Sequence, residues 1–181
     1  MVPSRMSLKE VKRTAAVAWS PPSHSSPLLA TGTLAGALDA SFSTLAELEI
    51  HELHLDDRGS TEVTQKTTIS APSRFNRLAW SAHNSNSVDG VIAGGCEDGS
   101  ISFWSASDLL KAPNNDSALL SRCEGHHGPV RGLQVNPFQP FLVASGATDA
   151  EVSQTGRGLA CSLSMLTNES ITDTGRFGYG I

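Results

Sequence analysis

Cysteine is scarce in this sequence, and the three that occur form no CxxC pair: Cys96, Cys123 and Cys161. An odd number without that spacing predicts free thiols in a reducing compartment, and it argues against a disulfide framework or a zinc site. Long hydrophobic runs are also missing, because none approaches the roughly 18 residues that span a bilayer. The opening residues lack the apolar segment of a secretory signal, so none is expected.

Charge is sparse as well. Charged residues make up 17% of the chain, the net charge is −5, and lysine and arginine are scattered. A nucleic-acid-binding surface is therefore not indicated. The sequence contains no GxSxG and no HExxH motif. Gly94-Gly95 with Gly99 lacks the Gly-Lys-Ser/Thr step of a phosphate-binding loop, so the common hydrolase and nucleotide-binding motifs are excluded.

What the chain does contain is a series of short apolar runs separated by turn residues. The 16 glycines and 9 prolines punctuate a sequence that is 39% hydrophobic, which predicts an all-β fold. The expected strands include Ala15–Trp19, Leu28–Thr33 and Val130–Val135. A helical turn is expected only at 106–111, within an otherwise exposed connection over 105–123. The alternating run 47–55 slips phase near His51, which predicts a bulge or a change of exposure there.

The apolar runs recur as three units of similar order. Aligning Trp19, Trp80 and Val135 places the units 61 and 55 residues apart. These spacings exceed the usual 40–45 residues of a propeller blade, and the excess lies in polar loops, where insertions cost little. Each unit also contains an Ala-small-Gly step, which ends at Gly32, Gly95 and Gly146 respectively. Asp98 lies three residues after Gly95, and Asp149 lies three residues after Gly146.

Units two and three resemble the WD-repeat β-propeller family. Unit three carries a Gly-His pair ending at His126, a Ser at 145 and a turn Asp at 149; unit two carries the turn Asp98 and the strand residue Trp104. In that family such residues form a buried hydrogen-bond network that pins the strands of a blade. The resemblance therefore implies a bracing role for His126, Ser145, Asp149, Asp98 and Trp104.

Unit two departs from the family pattern because Ser105 replaces the usual Asp and no Gly-His precedes it. Trp19, Trp80 and Trp104 are expected to pack between strands rather than to form a ligand cage. Glu47, Glu49 and Glu52 would not share one face of a strand, and we expect a solvated face there rather than a metal site.

A closer resemblance covers about residues 7–152 and is to the large subunits of the outer COPII coat. The strings that carry it are LKEVKRTAAVAWSP, LLATGT followed by LDASFST, LEIHELHL, GVIAGGCEDGSISFW, GPVRGLQVNPFQ and LVASGATDAEV. It implies an incomplete propeller, about two and a half blades of an expected seven. The residues at 1–6 are expected to form a disordered leader. It also implies a structural role in endoplasmic-reticulum-to-Golgi transport, with no catalytic residues and no cofactor.

The partners implied are a smaller WD-repeat outer-coat subunit and inner-coat proteins, with indirect membrane contact on the cytosolic face of exit sites. Two other readings stay open. One is a WD-repeat adaptor of another complex, such as a substrate adaptor of a ubiquitin ligase, against which the LDASFST insertion argues. The other is a hydrolase using Cys96 or His126.

The repeat pattern fails after Val152. Residues 153–181 are rich in Ser, Thr and Gly, and we expect a divergent tail that is disordered or aberrant. The segment 7–14 is expected to form an exposed edge strand. The resemblance implies that the strand near Ser7–Lys12 would complete the final blade. Because that blade is missing, the sequence predicts open sheet edges, low stability and association through those edges.

Overall fold

A computed structural model describes residues 9–22, 26–37, 45–56, 60–81, 89–112, 116–140 and 142–148. The predictions for the leader at 1–6, the tail at 153–181 and the bracing residue Asp149 lie outside the described residues. So does the LDASFST insertion at 38–44.

Two four-stranded antiparallel sheets form most of the described structure. In the first sheet the strands follow chain order: β1 (Ala15–Trp19), β2 (Leu28–Thr33), β3 (Glu47–Glu52) and β4 (Thr64–Ser70). The second sheet repeats that order with β5 (Phe75–Trp80), β6 (Val91–Cys96), β7 (Ser100–Ser105) and β8 (Leu119–Glu124). Helix α1 (Ala106–Lys111) and a 3-10 turn (Asp116–Ala118) connect β7 to β8. We call these two sheets blade 1 and blade 2.

A third, two-stranded sheet follows, which we call blade 3. It consists of β9 (Val130–Val135) and β10 (Val143–Ala147), paired antiparallel. Two full sheets and this half sheet confirm the prediction of an incomplete WD-repeat propeller with about two and a half blades. Among the described residues, no helix is long and apolar enough to cross a membrane.

The blades pack face to face, and alternation along each strand supplies the packing surfaces. Ala16, Ala18 and Ala30 of blade 1 are buried in one cluster with Leu78 and Trp80 of blade 2. A second cluster joins Ala93 and Phe103 of blade 2 to Val130 and Val143 of blade 3. Burying a leucine, valine or phenylalanine side chain contributes on the order of 1.5–3 kcal/mol relative to exposure, so these two layers stabilise the fold.

Strand register shows that the three units are equivalent position by position. The first and second strands pair as Trp19 with Leu29, Trp80 with Ile92, and Val135 with Val143. Three residues beyond these second-strand positions lie Gly32, Gly95 and Gly146, each opposite a first-strand residue. The alignment of units by Trp19, Trp80 and Val135 is confirmed.

Several local predictions are confirmed and two are wrong. The expected strands at β1, β2 and β9 have the predicted bounds, helix α1 lies at 106–111, and register shifts between Ile50 and His51. The connection over 105–123 is not simply exposed, because it contains strand β8 and the buried Leu109. Residues 9–14 form no strand; the Glu10 N–H instead donates to the Thr61 carbonyl over 2.9 Å.

Candidate functional site

Blade 3 brings two of the predicted bracing residues together. His126 lies in the loop before β9, and its Nε2 is 2.9 Å from Ser145 Oγ on β10. Both side chains are buried. A buried polar group costs free energy unless it is hydrogen-bonded, so this contact ties the entry loop of the blade to its second strand. Asp149, the third residue of the predicted set, falls outside the described residues.

The loop that carries His126 is seated against the β6–β7 turn of blade 2. In that turn Gly99 has φ +88°, a conformation that favours glycine. A Cβ atom at Gly99 would lie 2.4 Å from the His126 carbonyl oxygen. Only glycine, which has no side chain, allows the two loops to approach this closely. The turn of one blade therefore helps to position the Gly-His segment of the next.

Asp98 of the same turn holds the start of β7. Its Oδ1 accepts hydrogen bonds from the Ser100 backbone N–H (2.9 Å) and hydroxyl (2.6 Å), and its Oδ2 lies 2.6 Å from Arg122. Burial opposes ionisation of this carboxyl, but the Ser100 hydrogen bonds and the Arg122 charge outweigh it and lower the Asp98 pKa. Asp98 thus stabilises the hairpin between β6 and β7 and connects this hairpin to β8 through Arg122.

Trp104 does not join these polar contacts. It is buried between blades 1 and 2, where its ring meets Phe75 edge to face with centroids 5.6 Å apart. The next residue, Ser105, replaces the family's usual Asp and begins a helix. Its Oγ accepts the Asp108 backbone N–H over 3.2 Å as the N-cap of α1.

A polar cluster in blade 1 was missed by sequence reasoning. The Thr31 hydroxyl lies 3.1 Å from His51 Nε2, and that nitrogen lies 3.2 Å from Glu49 Oε2. Arg13 pairs with the same carboxylate oxygen over 2.5 Å. We call Arg13, Thr31, Glu49 and His51 the blade 1 cluster.

Register explains the blade 1 cluster. His51 is opposite Leu29, as Trp104 is opposite Ile92, so His51 occupies the position of the third-strand tryptophan. Thr31 is likewise the equivalent of Ser145, two residues beyond the matched second-strand position. The sequence signals near these residues were the phase slip at His51 and the Gly32 alignment, but neither one identifies a contact between Thr31 and His51.

The environment of Glu49 corrects the expectation of a solvated face. The hydrogen bond with His51 lowers the pKa of Glu49, burial raises it, and Arg13 lowers it further, with a net value of about 2. The carboxylate is therefore a structural anion held between two side chains. Glu52 instead pairs with Lys66 over 2.6 Å at the more exposed edge of the sheet.

The remaining candidates for chemistry differ in burial. Cys96 is fully buried in the core, and burial raises the pKa of its thiol to about 11. A thiol with a raised pKa is a poor nucleophile. Of the three tryptophans, Trp80 and Trp104 are buried as expected, whereas Trp19 is largely exposed. Among the described residues, no group of three or more His, Cys, Asp or Glu side chains is arranged to hold a metal ion.

Comparison with known proteins identifies relatives over most of the chain. Protein transport protein SEC31 of Chaetomium globosum is 44% identical over 147 residues, covering 80% of this chain and 11% of the relative. Protein transport protein Sec31A of Mus musculus is 43% identical over 150 residues, covering 81% of this chain and 12% of the relative. The chain thus spans about a tenth of the length of these relatives. No protein-family profile matches the sequence.

Solved structures of similar fold agree with these relatives. A chain of the outer coat vertex of COPII on membranes superposes with a TM-score of 0.61 at 32% identity, covering 77% of this chain and 32% of that one. A chain in the structure of the COPII coat assembled on membranes gives the same TM-score and identity, covering 77% of this chain and 18% of that one. Over about four fifths of its length, the chain is homologous to protein transport proteins named Sec31, and its fold is similar to that of chains in the COPII outer coat.

Proposed function

We propose that this chain acts as a structural element of the outer COPII coat in endoplasmic-reticulum-to-Golgi transport, through protein–protein contacts. The observation that carries the proposal is the joint match in sequence and fold: identity above 40% to transport proteins and a superposition on outer-coat chains. Since one fold hosts many functions, the sequence identity carries more weight here than the propeller architecture.

The arrangement of polar residues supports a scaffold role. The His126–Ser145 pair and the blade 1 cluster are hydrogen-bonded inside or between strands. Hydrogen bonds between buried polar groups rigidify a fold and specify its packing. A coat subunit needs this property, because it transmits shape through fixed surfaces rather than by chemistry.

The Ser–His pair of blade 3 has the spacing of a nucleophile and a base, which makes a hydrolase the obvious rival. A nucleophile must be reached by substrate, however, and both Ser145 and His126 are buried. We therefore propose a non-enzymatic role with no cofactor. The expected partners are a smaller WD-repeat outer-coat subunit and inner-coat proteins on the cytosolic face of exit sites, with membrane contact through those proteins.

A chimeric relative tests the proposal. The matched segment of the Chaetomium globosum relative would be replaced by residues 7–148 of this chain in the full-length protein. Cells depending on the chimera are expected to keep secreting a reporter protein, and the tagged chimera to collect at exit sites. A second chimera carries Gly32→Leu, which forces a side chain against the Phe75 ring and should disrupt the packing between blades. Loss of secretion in this control shows that the assay depends on the fold of the segment. Lost secretion with a correctly folded chimera would contradict the proposal.

A further inference from the structure

Blades 2 and 3 each contain a β-bulge at the same position of the first strand. In blade 2 the register of β5 on β6 shifts between Phe75 and Arg77, which leaves Asn76 as the extra residue. In blade 3 the register of β9 on β10 skips Arg131 in the same way. The first two strands of blade 1 pair without such a shift. Because bulges change the direction of side chains and are frequent beside functional sites, these two positions are candidates for a site.

The two bulges are hydrogen-bonded to each other across the boundary between the blades. Arg131 Nη1 donates to Asn76 Oδ1 over 2.9 Å, and Arg77 Nε donates to the Arg131 carbonyl oxygen over 2.9 Å. Asn76 is half-buried, whereas Arg77 and Arg131 are exposed. Strands β5 and β9 contact each other and are both described, so these contacts do not depend on either end of the sequence. We call Asn76, Arg77 and Arg131 the bulge site.

The bulge site has more hydrogen-bond donors than acceptors. Asn76 Nδ2 is buried and has no hydrogen-bond partner among the described residues. The orientation of this amide follows from its neighbour, because a guanidinium carries only donors and therefore faces the amide oxygen. Within the described part of the chain, neither Arg77 nor Arg131 lies within ion-pair distance of a carboxylate. A buried donor without an acceptor is unfavourable, and an anion with several oxygen atoms would satisfy it together with the two guanidinium groups.

We propose that the bulge site binds a phosphate monoester, either a free phosphate compound or a phosphorylated side chain of a partner protein. Its two guanidinium charges match the charge of about −1.5 to −2 that such a group carries at pH 7, whereas a carboxylate carries a single charge. The three terminal oxygens of the phosphate can accept hydrogen bonds from Arg77, Arg131 and Asn76 Nδ2 together, and arginine suits phosphate geometry. This site goes beyond the proposed coat function and does not depend on it.

Isothermal titration calorimetry of the 181-residue chain at low ionic strength tests the proposal with three probes. They are inorganic phosphate, a short alanine peptide with one phosphoserine, and the same peptide with glutamate in place of the phosphoserine. The phosphoserine peptide is expected to bind at least about tenfold more tightly than the glutamate peptide. Inorganic phosphate that binds as tightly as the phosphoserine peptide would identify a free phosphate compound as the ligand, and weaker binding would identify a phosphorylated side chain.

Charge-removing variants locate the binding. Arg77→Gln and Arg131→Gln each remove one guanidinium from the bulge site, and each is expected to weaken binding of the phosphoserine peptide at least about tenfold. Lys111→Gln removes an exposed charge on helix α1 and should change the affinity by less than about twofold. Circular dichroism spectra establish that each variant keeps the fold.

Asn76→Asp separates loss of the site from loss of the fold. A carboxylate at this position supplies an anion from within the chain, so the melting temperature is expected to rise while binding of the phosphoserine peptide falls at least about tenfold. The proposal is overturned if the unmodified chain binds neither phosphate probe, or if Asn76→Asp or the folded arginine variants bind as tightly as the unmodified chain. Equal weakening by Lys111→Gln would also overturn it, because the binding would then reflect the overall charge of the protein.

Discussion

At the scale of single residues, one position in the second strand is filled differently in each blade. It is Thr31 in blade 1, Gly94 in blade 2 and Ser145 in blade 3. Where a hydroxyl is present, a histidine nitrogen lies within 3.1 Å of it, although His51 comes from the third strand and His126 from the entry loop. Where glycine stands, the Phe75 and Trp104 rings fill the space. Each blade is braced locally by polar or aromatic contact.

Removing the hydroxyl in blade 3 tests the bracing role. Ser145→Ala leaves His126 Nε2 without this partner in a buried place, which we expect to lower the free energy of unfolding by about 1–3 kcal/mol. Ser145→Thr keeps the hydroxyl and copies Thr31 of blade 1, so it should cost much less. Urea denaturation of both variants measures the difference. Equal stability of the two would count against bracing by this hydrogen bond.

Glu49 makes the fold sensitive to acid. Its pKa falls from 4.5 to about 2 on folding, so the unfolded chain binds the proton more readily. The stabilisation from the carboxylate is therefore present above about pH 4.5 and is lost as the pH falls toward 2. A shift of this size corresponds to about 1–3 kcal/mol, after allowing for partial solvent screening.

The measurement compares the free energy of unfolding of the unmodified chain and Glu49→Gln between pH 7 and pH 2. The gap between them is expected to be largest at neutral pH and to shrink below about pH 4.5. Glu97→Gln, a change at an exposed turn residue, sets the baseline for removing a glutamate. A gap that is constant across the range would mean that Glu49 does not act through its charge.

The sequence patterns identified some of these residues and missed others. His126 and Ser145 were recognisable because the Gly-His and Ser-Gly steps keep their family spacing. Thr31 and His51 were not, since a histidine in the tryptophan position matches no motif and the bulge after Ile50 shifts its face. The ion pair of Glu49 with Arg13 joins residues far apart in sequence, and only the folded chain brings them together.

At the scale of elements, the predicted strands are those that face the cores. Strands β6 and β7 are buried along their whole length and carry continuous apolar or small residues. The missed strands, β4 and β8, are the last strands of their sheets and read TQKTTIS and LLSRCE, with mostly exposed or half-buried side chains. A strand that buries few side chains shows weak hydrophobic alternation, so backbone pairing rather than side-chain pattern places it.

Contact between neighbouring sheets depends on glycine at one position, and this gives a matched pair of variants. Gly32→Ala places a methyl group 2.4 Å from the buried Phe75 ring, which also contacts the Trp104 ring edge to face. We expect such overpacking to cost about 1–3 kcal/mol. Gly146→Ala makes the same change at the equivalent position with nothing within 4 Å, and should alter stability by less than about 0.5 kcal/mol.

Thermal unfolding of the two glycine variants decides whether inter-sheet contact is the cause. A large loss in Gly32→Ala with little change in Gly146→Ala is the expected result. If both lose stability equally, the glycines matter for strand conformation and the packing explanation is wrong.

At the scale of the whole molecule, burial is distributed unevenly from blade to blade. Blade 2 is covered on both faces, and β6 and β7 are fully buried. Blade 3 has two described strands, and β9 is largely exposed or half-buried. A two-stranded ribbon is marginal by itself, so blade 3 depends on its contact with blade 2 through Val130 and Val143.

Amide hydrogen exchange should reveal this gradient. Local opening requires the least free energy where few apolar groups are buried, so amides of β9 and β10 are expected to exchange much faster than those of β6 and β7. The experiment uses mass spectrometry, with fully denatured chain as the reference. Val130→Ala should speed exchange in β9 and β10 further, because it empties the contact at Gly95, and should leave β2 and β3 in blade 1 unchanged. Uniform exchange across the three blades would instead mean that the described sheets open as one cooperative unit.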